Sequence, residues 1–125
     1  MSFDWAQYFN LAKELTGQPT TPANQEAKLR DAISRAYYAA FILARNHLRD
    51  REGYIIPTTG QAHGYVWEQF KLNPDPQRQL IANNLKRLRV YRKQADYIDK
   101  FPGLYSIALT ALTLSEEIIS TLNSL

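Results

Sequence analysis

The chain has 125 residues and a mass of 14.4 kDa, with 45% hydrophobic residues, 22% charged residues and a formal net charge of +3. These proportions exclude a disordered chain, and the length fits one domain. The absence of cysteine excludes disulfides, thiolate metal sites and a cysteine nucleophile.

No apolar run approaches the ~18–20 residues that span a bilayer. The opening stretch MSFDWAQYFN has neither the basic n-region nor the apolar h-region of a signal peptide. A cytoplasmic protein without membrane contact is therefore expected.

Helix is the only periodic signal along the chain. Asp4 caps a first helix, with Gln7 placed to complete a capping box. Trp5, Tyr8, Phe9, Ala12 and Leu15 recur at helical spacing, and Gly17 stops the run. After the loop Gln18-Pro19-Thr20, Thr21-Pro22 reads as N-cap and first helical residue. Neither Gly nor Pro intervenes before Arg51, which predicts a second helix on the order of 45 Å long. Leu29, Ala32 or Ile33, Ala36, Ala40, Leu43 and His47 form its inward stripe. Gly53 ends it from the C-cap side.

Residues 54–60 read as a loop. A short helix runs from Gln61 to Phe70 and buries Val66, Trp67 and Phe70. Asn73-Pro74-Asp75-Pro76 turns and caps a long helix to about Asp99, where Phe101-Pro102-Gly103 breaks it. A last helix from Leu104 repeats Leu104, Ala108, Ala111, Ser115, Ile118, Leu122 and Leu125. The prediction is an all-α up-and-down bundle of four main helices and one short one, a single domain over residues 1–125. The broad apolar band of the last helix is either core or a surface that a homodimer would bury.

Charge is segregated. Residues 28–51 hold six basic residues against Asp31 and Asp50, and residues 78–100 hold seven against Asp96 and Asp99. Packed side by side, these segments present a basic face of the kind polyanions favour; packed apart, they are solvated helix faces.

Two clusters stand out. Ile81, Leu85, Leu88, Arg92, Ala95 and Asp99 share a helix face, so Arg92 interrupts an apolar stripe. Such an Arg either pairs with Asp96, four residues on, or faces an anion through its planar fork. The second cluster is Ser34-Arg35-Ala36-Tyr37-Tyr38-Ala39-Ala40-Phe41. Tyr37 and Tyr38 lie about 100° apart on a helix, so at least one points away from the core centre. Arg35 and Tyr38 share a face, and Arg beside an aromatic ring is one way single-stranded bases are held.

Ser34–Phe41, Gly53, His63 and the stretch Leu88–Tyr97 together resemble the HEPN superfamily. The resemblance is to its small single-domain bacterial and archaeal members, with an S-R-x-Y-Y-A stretch and a later R-x-x-A-D-Y stretch. It spans roughly residues 5–120. It implies an all-α bundle that dimerises, often beside a nucleotidyltransferase partner in toxin–antitoxin or defence systems. Active members are metal-independent ribonucleases that use an Arg followed, after four to six residues, by a His from each protomer.

This chain departs from that motif. Neither His47 nor His63 has an Arg at the required distance. Arg92 has the right place, but Tyr97 stands where the His belongs, and a Tyr near pKa 10 is a poor base at neutral pH. The Tyr that is adenylylated in some relatives is replaced by Asp99. His63 has no clustered donors, so no metal site is expected, and capping or packing is its first reading. The five glycines are scattered, which excludes a phosphate-cradling loop.

The resulting expectation is a non-catalytic, dimeric HEPN module that binds a nucleotide or RNA through Arg35, Tyr38, Arg92 and Tyr97, without a cofactor, beside a nucleotidyltransferase-type partner. One alternative is a ribonuclease toxin in which Arg92 acts with Tyr97 or His63. Another is a purely structural dimeric interaction domain.

Overall fold

The computed structural model describes residues 3–17 and 22–125. Five α-helices follow one another: α1 Ala6–Gly17, α2 Pro22–Asn46, α3 Ala62–Lys71, α4 Pro76–Tyr97 and α5 Leu104–Asn123. Among the described residues there is no strand, and no helix is long and apolar enough to cross a membrane. The expected Thr21 cap and the loop at residues 18–20 lie outside the described residues.

Most borders fall where local chemistry puts them. Asp4 Oδ1 accepts the Ala6 N–H at 3.0 Å before α1. Asp75 Oδ1 accepts the Gln77 N–H at 3.3 Å, with Pro76 at the first helical position of α4. Gly53 and Gly103 adopt φ of 75° and 69°, a left-handed conformation that glycine enters without strain. The second helix departs from expectation at its end. It is α-helical only to Asn46, and His47–Arg51 wind into a π-helical turn.

That turn is anchored from outside the helix. Glu52 accepts from His47 Nε2 at 2.7 Å and from both Arg78 terminal nitrogens at 3.0 and 2.6 Å. One carboxylate thereby ties the end of α2 to the start of α4.

Helix α2 is central, packing against α1, α4 and α5, while α4 also packs on α3 and α5. Ala32, Ala36, Ala40 and Ala44 are each at most 1% exposed, so neighbouring helices approach the α2 backbone closely. At one such contact Ser115 Oγ of α5 donates to the Ala36 carbonyl at 2.8 Å. Ile33, Phe70, Ile81, Leu88 and Ile118 fill the centre, each contributing about 1.5–3 kcal/mol of transfer free energy on burial.

One expectation about burial needs adjustment, and the place of the α5 band becomes visible. Trp67 is only partly buried, because it lines a cavity rather than filling the core. The α5 band is mostly consumed inside the chain: Ala108, Ala111, Leu114, Ser115, Ile118 and Leu122 are buried, leaving Tyr105 and Leu109 as its exposed large apolar residues.

Candidate nucleic-acid interface

The α3–α4 groove is built from two helical stripes. His63 and Trp67, four residues apart, lie on one face of α3. Lys86, Arg89, Val90 and Lys93 recur at three- and four-residue spacing on α4. With Tyr37 and Phe41 from α2 and Leu85 beneath, they line an open cavity of about 180 Å³. A cavity of about 150 Å³ holds a benzene ring, so this one matches a single planar ring system.

The floor is an aromatic stack. The Phe41 and His63 rings lie 4.2 Å apart and 12° from parallel. Tyr37 continues the arrangement, 5.7 Å from His63 and 14° from parallel. The Tyr37 hydroxyl and His63 Nδ1 are 2.6 Å apart. Burial pushes the Tyr37 hydroxyl well above its ordinary pKa, although Arg89 and Arg92 act against the shift. The phenol therefore keeps its proton and shares a hydrogen bond with Nδ1. Burial, followed by the charges of Arg89, Arg92 and Lys93, pulls His63 down to about 4. Its ring is neutral at physiological pH.

The rim is cationic. No carboxylate lines the cavity. None of the ion pairs among the described residues involves Lys86, Arg89 or Lys93. The Lys86 Nζ lies 5.7 Å from the Trp67 ring centre and Lys71 Nζ lies 4.6 Å from it, so the indole face carries two cations.

The candidates singled out in the sequence divide into two groups. Tyr38, Arg92 and Tyr97 gather beside the groove. The Arg92 guanidinium donates to the Tyr38 hydroxyl, and its carbon lies 5.1 Å from the Tyr38 ring and 6.0 Å from the Tyr97 ring. Arg92 also pairs with Asp96: Oδ2 stands 3.1 Å from Nε. That oxygen lies off the N–H direction, so Nε is buried without a hydrogen bond. Arg92 thus meets the carboxylate anticipated for it, and its charge is shared with an internal partner.

Arg35 is engaged elsewhere, bonded to Asp31 at 3.2 Å and lying 5.1 Å from the Tyr8 ring of α1. Tyr97 ends α4 and is 72% exposed. His63 lines the same cavity as Lys86, Arg89 and Lys93, held there by Tyr37 and Phe41.

Sequence reasoning found the basic segment 78–100 but missed Lys86, Arg89 and Lys93 as its free edge. Their spacing was the available signal, one stripe over from Arg92. Among the described residues no three His, Asp or Glu side chains converge as metal donors. Searches of family models, curated proteins and solved structures find no match to this chain.

Proposed function

We propose that this chain is a non-catalytic binding module for single-stranded nucleic acid or its nucleotide units, with the α3–α4 groove as its site. The carrying observation is the combination of an aromatic floor with three cations, Lys86, Arg89 and Lys93, that have no carboxylate partner among the described residues. A base offers the floor a flat ring, and phosphate offers the rim a negative charge. Arg92, tied to Tyr38 and Asp96, holds the adjoining aromatic wall in place. The HEPN resemblance supplies the wider setting of this reading: a second copy of the chain and a nucleotidyltransferase-type partner in a toxin–antitoxin pair.

The ribonuclease alternative needs a group that exchanges a proton near neutrality. His63, held near 4 and bonded by Tyr37, is poorly suited to that task.

The test is fluorescence anisotropy of labelled oligouridylate against salt. Binding should weaken linearly in log salt. Replacing Lys86, Arg89 and Lys93 together with Gln should remove about 2 units of slope, at ~0.7 per phosphate contact on a single strand. Unchanged affinity and slope in that variant would refute the reading. Cleavage of the oligomer in EDTA, abolished by Arg92→Ala, would replace it with the ribonuclease.

A further inference from the structure

A second cavity, of about 450 Å³, lies against the first. Phe41 and His63 line both, so their stacked rings stand between the two cavities. On the far side stand Arg45 near the end of α2 and Arg49 in the π-helical turn that follows it, with Pro57, Thr58 and Thr59 from the loop before α3.

The two sides resemble each other in chemistry. On the near side Arg89 and Lys93 are one α-helical turn apart on α4; on the far side Arg45 and Arg49 are also four residues apart, across the junction of α2 with the π-helical turn, and line one cavity together. Arg45 is bonded to the neutral amide of Asn46, at 3.1 Å from Nε and 3.0 Å from Nη2. Arg49 holds Asp50 at 2.8 and 3.1 Å, but both side chains are about half exposed. A solvent-exposed pair of that kind yields to a competing phosphate at little cost.

From this juxtaposition we infer that the ligand is a polymer, and that one strand of nucleic acid crosses the Phe41–His63 partition with a phosphate group served on each side. The inference rests on the α3–α4 groove reading and narrows its substrate class. A mononucleotide occupies the first cavity and its Lys86–Lys93 rim, and leaves Arg45 and Arg49 unused. A strand passing over the partition reaches both arginines and lays its next sugar and base against the Thr58–Thr59 loop. The first cavity is the size of one planar ring, and the second cavity offers the next base room beyond the partition.

The experiment compares uridine monophosphate with an oligouridylate of about eight nucleotides, within the usual footprint of single-strand binders. Native protein should bind the oligomer at least tenfold more tightly. The double variant Arg45→Gln, Arg49→Gln should lose most of that advantage and bind the monophosphate as before. The single variant Arg49→Gln, altered only at an exposed residue, should lose part of it with unchanged thermal unfolding. Equal affinity for the two ligands overturns the inference, as does a double variant that folds and keeps the full advantage; both leave the groove reading standing. Failure of either ligand to bind native protein removes the groove reading itself.

Discussion

Arg30 and Ala95 meet across the α2–α4 interface, with Arg30 Nη1 2.9 Å from the Ala95 carbonyl oxygen. The same guanidinium reaches the carbonyls of Ile98 at 2.7 Å, Asp99 at 2.9 Å and Gln94 at 3.4 Å. It therefore closes the C-terminal end of α4, where a helix leaves carbonyls without partners and its dipole favours a cation. The Phe101 ring lies 5.8 Å from it, on the segment that follows α4.

Removing that closure should be costly. Arg30→Met keeps most of the aliphatic stem and removes the donors, and should destabilise the fold by about 2–3 kcal/mol, the scale of hydrogen bonds to a charged group. Arg30→Lys should restore only part of this, since one ammonium does not span four carbonyls. Urea unfolding measures both, and full rescue by lysine would contradict the geometry.

What the sequence disclosed and what it withheld follow a physical division. Asp4, Asp75-Pro76 and Gly103 act on their own dihedrals and hydrogen bonds, so helix borders near them could be read directly. The Arg92–Asp96 pair was legible because both residues sit one turn apart on one helix. The Arg30 closure was not: its partners are backbone carbonyls more than sixty residues away, and a carbonyl leaves no mark in the residue code. The π turn at His47–Arg51 was hidden for a similar reason, since Glu52 and Arg78 hold it from elsewhere. The groove rim required knowing which side of α4 receives α3, and the α4 stripe 86–90–93 became interpretable only with that packing.

Glu52 is the second residue whose loss should be felt. Burial pushes its carboxyl pKa up, but hydrogen bonds from Arg78 and His47 outweigh burial and hold it below the usual 4.5. Because the folded value is depressed, the stabilisation is present above 4.5 and fades as pH falls through the lower folded value. Glu52→Gln should cost about 1–3 kcal/mol at neutral pH. The difference from native protein should narrow steadily below 4.5, where the native carboxyl also becomes neutral. Denaturant titrations at a series of pH values report the trend, and a difference independent of pH would place the stabilisation elsewhere.

His63 should show the matching signature of a base. Its folded pKa, about 4, lies below the 6.5 of an unperturbed imidazole. Protonation is thus favoured in the unfolded chain, and stability that is whole above 6.5 declines as pH falls toward 4 and levels off below that. In NMR the His63 ring protons should titrate with a midpoint near 4. Arg89→Gln and Lys93→Gln, which remove two of the opposing cations, should raise that midpoint, and so should phosphate bound on the rim. A midpoint near 6.5 in native protein would mean that the ring is neither buried nor crowded as described.

Trp67 offers a direct report on the groove, since it lines the cavity while the chain's other indole, Trp5, sits in an edge-on cluster with Phe3 and Tyr8 near the start of α1. In Trp5→Phe the remaining emission comes from Trp67 alone. Oligouridylate should then quench it, because a base entering the cavity meets the indole directly, and the quenching should follow the same salt dependence as anisotropy. The reciprocal variant Trp67→Phe, which retains Trp5, should bind more weakly, with little change in emission. If anisotropy reports binding while Trp5→Phe emission stays constant, the ligand sits away from the α3–α4 groove, and the free cations of α4 serve some other surface.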